Sequence, residues 1–557
     1  MAASDRTGEA HAGAAKHFAI DEPTPGCCGT LCACCCGKGG FKYDSMETVA
    51  YLLDGVCSGA IIMSNIFLSS AVLDLAAKAA GCDTDDLQNC KGRVYGMRPE
   101  DIYSATASVA GLVMAIMLPL IGAIIDHTDK RMQIGQVTAF SMGVVTLAQA
   151  CVSHDTWFLV TCLQVVSICA YTFHNLAQLA YLPELTANLE QKEGVEAADK
   201  ERNVINSQGT FWMFATEVVT IIVVYGVGTV VGAGNVDTAA IGQAMIGVFI
   251  LFVYWLIWSA KSDALGWRHR FLARGKLKDV PEGQSLVTTG FRQIASTLCG
   301  LKAKYPYVFL LLIGVMIIDA AFGAFSTIAV TYMKYELDAD NTLVTVIILI
   351  LLVVSLPSAI AARVAMDRFG PFHVAIATSL YMGLVTAVAP FLLHGATDKA
   401  QQLARELMPI FAVMWGVGFG VYYPCIQATY TMIIPAGSEA ELMGLYYFCT
   451  KVLSWAPPLL FVVFNNWTGE QKAGLWVLAA FFLLGIIPYC MLDLEKARGM
   501  VAHTLQSRAK SPRSSAGLAE EGSVDKTTNS QETAQVENRL TSNSLNSATS
   551  LALQEGL

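Results

Sequence analysis

Stretches of about 20 consecutive apolar residues recur along this chain of 557 residues, and they constrain its fold more than any other feature. A helix of about 20 residues, rising 1.5 Å per residue, crosses the roughly 30 Å hydrocarbon core of a bilayer. In hydrocarbon the backbone polar groups must bond within their own segment, so each stretch is expected to be helical. The twelve predicted spans are 46–72, 102–125, 132–152, 157–182, 208–231, 238–260, 306–333, 342–364, 372–394, 406–432, 441–465 and 471–493. The sequence predicts an all-α polytopic membrane protein with twelve transmembrane helices.

The composition agrees with that fold class. Hydrophobic residues make up 54% of the chain and charged residues only 15%, too few to cover a soluble protein of this length. The formal net charge of −9 provides no basic surface for nucleic acid. Residues 1–45 are polar and lack the apolar core of a signal peptide. The expected surroundings are therefore a lipid bilayer, without nucleic acid.

The distribution of basic residues predicts the orientation. With a cytoplasmic N-terminus, 27 of the 36 Lys and Arg residues fall in cytoplasmic segments or at the cytoplasmic ends of spans, and only Lys451 lies in the interior of a span. By the positive-inside rule both termini are then cytoplasmic. The predicted parts are a Cys-rich N-tail (1–45), an N-terminal six-helix bundle (46–260), a cytoplasmic linker (261–305), a C-terminal six-helix bundle (306–493) and a disordered cytoplasmic C-tail (494–557).

The two halves of the chain echo each other. The first span contains "DGVCSGA" from Asp54, and the seventh contains "DAAFGA" from Asp319. The second span ends in "GAIIDHTDKR", and the eighth ends in "AARVAMDRFGP". Matches at corresponding positions indicate a duplicated six-helix unit, which many transporters have.

Polar residues follow one face of the first helix in each group of three. In the fourth span Gln164, Ser167, Tyr171, His174, Gln178 and Tyr181 are spaced three or four residues apart, so they share a helical face. Shorter stripes comprise Tyr51, Asp54, Ser58, Asn65 and Ser69; Asp319, Gly323, Ser326 and Tyr332; and Gly416, Gly420, Tyr423, Gln427 and Tyr430. Interhelical hydrogen bonds explain isolated polar residues, but four aligned stripes predict a central aqueous cavity.

Four formal charges lie in the interior of predicted spans, away from their ends: Asp54, Glu217, Asp319 and Lys451. A charge at mid-bilayer costs about 3 kcal/mol even on lenient scales, so each needs a partner or water. Two interpretations stay open, namely ion pairs that fix helix registry and groups that bind substrate or protons. The predicted partners of Lys451 are Asp319 and Asp54.

The block "IIPAGSEAELMGLYYFCTKVLSWAPPLLF", with "AYLPELT" after the fourth span and "YLLD" in the first, resembles the vacuole effluxers related to autophagy-related protein 22. This family is a branch of the major facilitator superfamily, and the resemblance covers about residues 46–493. It implies two pseudo-symmetric six-helix bundles that work by alternating access. It also implies secondary active or facilitative export of neutral amino acids from a vacuole or lysosome to the cytosol, with the plasma membrane as the alternative location.

The same resemblance implies a cytoplasmic gate. Asp126, Lys130 and Arg131 match the superfamily signature between the second and third spans, whereas His127 and Asp129 depart from it. The fifth span departs further, with "TFWMFATEVV" in place of a glycine-containing motif. The gate predicted between the bundles comprises Asp126, Lys130, Arg131, Asp367 and Arg368.

An amino acid zwitterion requires an anion for its ammonium group and a donor for its carboxylate. Asp54 and Asp319 are predicted to bind the ammonium group, and Lys451 the carboxylate. His174 is the candidate proton carrier, and simple hydrogen bonding is its alternative role. The predicted substrate contacts are Asp54, Asn65, Gln164, Tyr171, His174, Gln178, Asp319, Tyr423, Gln427, Tyr430 and Lys451. The predicted charge-pair and coupling residues are Asp54, Glu217, Asp319, Lys451 and His174.

Two groups of cysteines are singled out. Six lie just before the first span, at Cys27, Cys28, Cys32, Cys34, Cys35 and Cys36. Their juxtamembrane position favours S-palmitoylation, and a zinc cluster is the alternative. Cys82 and Cys90 lie in a predicted non-cytoplasmic loop, where a disulfide is expected and two free thiols are the alternative.

No metal-ligand spacing and no nucleophile motif occurs in the sequence, so the protein is predicted not to be an enzyme and to use no cofactor or metal. Two alternatives to an amino acid transporter stay open. One is transport of another small organic solute, and the other is a non-transporting membrane sensor or scaffold.

Overall fold

The computed structural model of the chain describes residues 46–500, apart from 84–86, 88–89, 194, 274, 276–284, 396, 435–438 and 498. The predicted palmitoylation sites, Cys27 to Cys36, lie outside the described residues. The helices are α1 (Met46–Ala79), α2 (Asp101–His127), α3 (Arg131–Gln149), α4 (Trp157–Leu179), α5 (Leu182–Leu185), α6 (Ala187–Glu193), α7 (Val195–Val231), α8 (Asn235–Trp258), α9 (Leu286–Lys304), α10 (Pro306–Tyr335), α11 (Asn341–Phe369), α12 (Pro371–Leu392), α13 (Asp398–Ile433), α14 (Glu439–Val452), α15 (Ala456–Thr468) and α16 (Lys472–Cys490).

These helices confirm the prediction of an all-α polytopic membrane protein. Within the described part of the chain, eleven helical segments are long and apolar enough to cross a bilayer. The third predicted span, 132–152, corresponds to α3, which has 19 residues and is not among those eleven. It nevertheless packs between α4 and α8, where Gly135 contacts Trp258 and Gly143 contacts Leu251.

The eleventh predicted span, 441–465, corresponds to one segment that can cross a bilayer, Leu442–Thr468, but its helix is interrupted. The helix ends at Val452 and resumes at Ala456 as a second helix, α15. Pro457 and Pro458 occupy its first turn, and proline lacks the N–H that would continue the hydrogen-bond ladder of α14. The Leu453 carbonyl, which a residue other than proline at position 457 would have bonded, accepts from the Ala456 N–H at 3.0 Å, while the hydroxyl and N–H of Ser454 bond the Lys451 carbonyl. With 14 residues before the break and 13 after it, about 20 Å of helix lies on either side.

Close helix contact holds the N-terminal half together at the crossing of α1 and α7. Gly55 and Gly59 lie one turn apart on α1, and a Cβ at Gly59 would be 2.1 Å from the Met213 carbonyl oxygen of α7. A Cβ at Gly55 would be 2.7 Å from the Gly209 carbonyl oxygen. Small residues four apart allow two backbones to approach in this way.

The two ends of the helices are named here by their connections. The disulfide end carries the α1–α2 connection, in which Cys82 and Cys90 form a disulfide. The linker end carries the segment between α8 and α10. The described part of this linker contains two helices that the sequence did not predict. One is a short 3-10 helix, Ala260–Leu265, and the other is α9, which packs on α2 and α10.

The described chain also continues past the predicted start of the C-tail at 494. The Asp493 carboxylate accepts a hydrogen bond from the Lys496 backbone N–H at 3.1 Å, as a helix cap does. Leu492 and Ala497 are buried against the C-terminal half. Residues 501–557 lie outside the description.

Candidate functional site

The polar stripe of α4 faces α1 and forms a ladder of hydrogen bonds inside the N-terminal half. The amide of Gln178 donates to the Tyr51 carbonyl at 3.2 Å, and the amide of Gln164 donates to the Ser69 hydroxyl at 2.6 Å. His174 contacts Asp54 between them. Interhelical bonding, the simpler interpretation of the stripe, therefore describes most of it.

That ladder changes the interpretation of five predicted substrate contacts. They lie between α1 and α4 rather than at the interface between the halves, and Gln164, Gln178, Asp54 and His174 are buried there. Helix periodicity placed them on a common face, but it could not identify the helix against which that face packs. The five residues are Asp54, Asn65, Gln164, His174 and Gln178.

Asp54 and His174 form a pair without solvent exposure. His174 Nε2 lies 3.1 and 3.0 Å from the two carboxylate oxygens of Asp54, and both side chains are 0% exposed. The indole N–H of Trp258 donates to the same carboxylate at 2.9 Å. Asp54 is thus engaged within its own half, so the predicted pairing of Asp54 with Lys451 is wrong.

Three charged side chains remain at the interface between the halves. Glu217 of α7 is 3% exposed and Asp319 of α10 is 5% exposed, while Lys451 of α14 is half-buried. The carboxylate that interacts electrostatically with Lys451 is Asp319. Among the described residues, however, no carboxylate lies within the 4 Å of an ion pair with Lys451.

Tyrosines connect these charges across the interface. Tyr423 of α13 interacts electrostatically with Asp319, with Glu217 and with Tyr171 of the opposite half. The hydroxyl of Tyr447, on α14, donates to the Thr172 carbonyl of α4 at 3.1 Å. The Lys451 ammonium lies 6.0 Å from the centre of the Tyr447 ring. We call Glu217, Asp319, Lys451, Tyr171, Tyr423 and Tyr447 the interface cluster.

Sequence reasoning missed Tyr447, although its position is readable. It precedes Lys451 by four residues in "YYFCTK", and residues four apart are neighbours on a helix. Two further predicted contacts lie closer to the linker end. Tyr430 is buried and its hydroxyl donates to the Leu442 carbonyl at 2.6 Å, while Gln427 accepts from Asn206 of the other half at 3.4 Å.

The residues of the predicted gate lie at the linker end, and two of them have partners on their own side. Arg131 forms an ion pair with Glu184 at 2.7 Å and lies over the Tyr181 ring. Arg368 lies over the ring of its neighbour Phe369. Lys130 and Asp367 are exposed, and Asp126 is half-buried. The latch between the bundles stays a prediction.

The disulfide end, in contrast, is closed by polar contacts between the halves that the sequence analysis did not identify. Lys334 of α10 is 2% exposed and forms an ion pair with Asp74 of α1. Its ammonium also donates to the Ser70 carbonyl at 2.9 Å, and Asn235 donates to Asp74. A signal existed, since Asp74 and Lys334 lie near the ends of the corresponding first and seventh spans.

A second set of contacts closes the same end. The Asp101 carboxylate accepts hydrogen bonds from the amides of Asn465 at 2.8 Å and Asn466 at 2.7 Å. Glu100 accepts from the amide of Gln471 at 3.0 Å. Burial raises the pKa of Glu100 above its ordinary value, although its hydrogen bonds and Arg98 oppose the shift.

Comparison with known proteins agrees with this architecture. The model of the family described as "Vacuole effluxer Atg22 like" matches residues 46–502. Autophagy-related protein 22 of Kluyveromyces lactis is 21% identical over 415 residues, which are 71% of this chain and 80% of that protein. Autophagy-related protein 22 of Vanderwaltozyma polyspora is 22% identical over 196 residues, 34% of this chain and 37% of that protein.

Among solved structures, the inward open conformation of the xylose transporter XylE from E. coli aligns with a TM-score of 0.52 at 12% identity. The alignment covers 81% of this chain and 99% of that one. At that identity the likeness concerns the fold, which is that of the major facilitator superfamily. The fold and the family together make this protein an integral membrane transporter and not an enzyme, and the chain belongs to the family of vacuole effluxers like Atg22.

Proposed function

We propose that this protein exports neutral amino acids from the lumen of a vacuole or lysosome to the cytosol by alternating access, with the interface cluster as its substrate site. The observation that carries this proposal is that Glu217 in one half, and Asp319 and Lys451 in the other, are charged side chains at the interface that no ion pair among the described residues neutralises. Glu217 and Lys451 form no ion pair among the described residues. Keeping such charges in a membrane is costly unless a ligand or water stabilises them.

A zwitterion matches this arrangement. Its ammonium group binds Glu217 and Asp319, and its carboxylate binds the Lys451 ammonium as a point charge. Glu217 takes the role that the sequence assigned to Asp54, because Asp54 is engaged by His174 and Trp258. The Tyr171, Tyr423 and Tyr447 rings surround the site with aromatic surface, which favours a substrate whose side chain carries no charge of its own.

The break between α14 and α15 supports the same location. Lys451 is in the last turn of α14, where the negative end of the helix dipole stabilises a cation. Discontinuous membrane helices commonly form the substrate site of transporters, since free backbone groups there can bind polar ligands.

The proposed orientation places the linker end in the cytosol and the disulfide end in the lumen. The excess of Lys and Arg in the linker and tails supports it, and so does the Cys82–Cys90 disulfide, which requires an oxidising compartment. The described conformation is closed by polar contacts at the disulfide end. We further propose that export is coupled to protons through the pair formed by Asp54 and His174.

Uptake of radiolabelled leucine into vesicles containing the pure full-length protein tests the proposal. Lys451→Ala and Glu217→Gln should each weaken leucine binding by about 1.5–3 kcal/mol, roughly tenfold to a hundredfold in Kd, because each removes a charge-assisted hydrogen bond. Lys399→Ala, at an exposed lysine outside the cluster, is the matched control and should transport normally. Leucine transport that Lys451→Ala leaves unchanged would contradict this site.

A further inference from the structure

We infer that the Asp54–His174 pair is a proton-binding site that already holds its proton in this conformation, and that Tyr171 connects it to the substrate site at Glu217. This inference rests on the proposed function, since a proton site has this role only in a transporter. It follows from counting hydrogens around one imidazole ring.

The count begins with the hydroxyl of Thr138 on α3. A threonine hydroxyl has one proton to donate and two lone pairs with which to accept. The Thr138 oxygen lies 2.7 Å from the Ile134 carbonyl oxygen, and two oxygens this close must have a hydrogen between them. The single proton of Thr138 therefore goes to Ile134, and the hydroxyl can only accept from His174 Nδ1, 3.1 Å away. Nδ1 accordingly carries a hydrogen.

The other ring nitrogen faces Asp54. A neutral imidazole has one N–H, and Nδ1 has already taken it. A bare Nε2 would then direct its lone pair at both carboxylate oxygens from 3.0 and 3.1 Å, which is repulsive. A second hydrogen must lie between Nε2 and the carboxylate. Whichever atom holds it, the pair contains one proton more than a neutral imidazole beside an ionised carboxylate.

The surroundings of the pair add no competing charge. The ionisable groups that interact with Asp54 from α1, α4 and α8 are three phenols and a thiol, all uncharged near neutral pH in their ordinary state, and α3 contributes the neutral hydroxyl of Thr138. The four groups are Tyr51, Cys57, Tyr171 and Tyr254. A deprotonated pair would leave a buried negative charge with only neutral donors near it, so the bound proton makes the site electrically neutral.

The linker seals the pair from the linker end. The Trp258 ring packs edge-on against His174 at 5.2 Å, and Phe271 of the linker stacks on Trp258 at 4.3 Å. The Phe271 N–H donates to the Ile257 carbonyl at 2.8 Å, and the Tyr181 hydroxyl donates to the Leu272 carbonyl at 3.1 Å. Trp258, Phe271 and Tyr181 are all 0% exposed. A proton cannot leave in this direction unless the linker segment moves.

The open direction is toward the interface between the halves. The hydroxyl of Ser58, one turn from Asp54, is buried. It lies beside the phenols of Tyr171 and Tyr254. Tyr171 is half-buried and interacts electrostatically with both Asp54 and Glu217. Hydroxyls both donate and accept, so Ser58 and Tyr171 can pass a proton between the pair and the substrate site.

Proton binding can be measured without any substrate. Trp258 contacts both members of the pair, so its fluorescence, isolated as the difference between the full-length protein and Trp258→Phe, should change in one step as the pH is raised and the bound proton leaves. Asp54→Asn and His174→Gln should abolish the step, whereas His373→Gln, at an exposed histidine, should retain it. A step that survives in His174→Gln, with the variant still monodisperse on gel filtration, would overturn the proton site.

Coupling is measured in vesicles with radiolabelled leucine and an imposed pH gradient. Wild-type protein should accumulate leucine when the disulfide side is acidic, and Tyr171→Phe should lose gradient-driven accumulation while keeping the fluorescence step. Leucine transport that ignores the gradient would overturn the coupling and leave the proposed function standing. A fluorescence step without transport of leucine or any other neutral amino acid would instead reject the proposed function and leave the proton site intact.

Discussion

Asp54 and Glu217 lie in the same half, but their carboxylates have different surroundings. Asp54 accepts hydrogen bonds from His174 and Trp258 and is sealed inside its bundle. Glu217 interacts electrostatically with Tyr171 and Tyr423 of the interface, and among the described residues it forms no ion pair. We therefore propose that Glu217, and not Asp54, is the carboxylate of this half that binds the ammonium group of a substrate.

Tyr447 provides a prediction at this scale, because its two groups have separable roles. Tyr447→Phe removes the hydroxyl that bonds Thr172 across the interface. The free energy of leucine binding should therefore weaken by about 0.5–1.5 kcal/mol. Tyr447→Leu also removes the ring near the Lys451 ammonium and should weaken leucine binding further, by about 0.5–1 kcal/mol for the lost cation–π contact. Binding measured by scintillation proximity tests this order; equal affinities for the two variants would contradict it.

The sequence could predict which residues share a face, and the limits of that prediction are visible in His174 and Tyr171. Three residues apart, they differ by about 60° around the helix, since each residue turns about 100°. That difference is enough for His174 to face α1 while Tyr171 faces the opposite half. Side-chain phase is local information, whereas the identity of the neighbouring helix depends on tertiary packing that one sequence does not display.

At the scale of elements, the spans were predictable because hydrocarbon permits few backbone arrangements. Their interruptions were not, and the break at 453–455 is the clearest case. Pro457 and Pro458 were readable as helix breakers, but prolines also occur inside continuous membrane helices. Pro424 lies within α13 and Pro357 within α11. Whether a proline bends or ends a helix depends on which groups bond the carbonyls that it leaves without a donor, and here the Ala456 N–H bonds the Leu453 carbonyl.

The crossing of α1 and α7 yields a prediction about stability. Gly59→Ala would bring a methyl group within 2.1 Å of the Met213 carbonyl oxygen, and backbone cannot rotate away as a side chain can. Overpacking of this kind costs about 1–3 kcal/mol, so the melting temperature in detergent should fall. Gly226→Ala on α7 is the matched control, because a Cβ there meets nothing within 4 Å; it should melt at or slightly above the wild-type temperature. Equal melting temperatures for the two variants would contradict the packing described.

At the scale of the whole molecule, the polar contacts at the two ends differ. Cross-half ion pairs and amide–carboxylate bonds close the disulfide end, whereas Arg131 and Arg368 at the linker end bond on their own side. The proposed alternating access requires the closed end to open, and the contacts that close this end would then set the balance between the two conformations.

The ion pair between Lys334 and Asp74 should control that balance. Lys334→Met leaves Asp74 buried without its cation, and breaking a buried pair on one side costs about 3–5 kcal/mol. The closed end should therefore open more often, and a cysteine introduced at the buried Leu73 should react faster with an impermeant maleimide added from the disulfide side. The double variant Lys334→Met/Asp74→Asn leaves no unpaired charge and should react more slowly than the single variant. Identical rates in both would argue against a gating role.

The Glu100 carboxyl gives the same end a dependence on pH. Burial raises its pKa in the closed conformation, and exposure to water on opening returns the pKa toward its ordinary value. The closed conformation thus binds the proton more tightly than the open one. The stability that protonated Glu100 gives to the closed conformation is complete below the ordinary pKa of a glutamate, and it is lost as the pH rises through the raised pKa of the closed conformation. The labelling rate at position 73, divided by the rate of a fully exposed cysteine so that the thiol's own loss of reactivity in acid cancels, should accordingly fall on acidification, and Glu100→Gln should flatten this dependence. A wild-type ratio that rises with acid would reverse the sign and refute the argument.

The way the linker begins has a practical consequence for the architecture. The Phe271 N–H bonds the Ile257 carbonyl of α8, the Leu272 carbonyl accepts from Tyr181 just after α4, and the Leu272 N–H bonds the Glu47 carboxylate of α1. This part of the connection therefore belongs structurally to the N-terminal half. A polypeptide that stops at Ala273 would keep the Phe271 ring that covers Trp258. Two separately translated halves, the second beginning before α9, should therefore assemble in a membrane into a working transporter. The covalent connection between Ala273 and α9 keeps the halves near each other but is not needed to complete the packing of the N-terminal half.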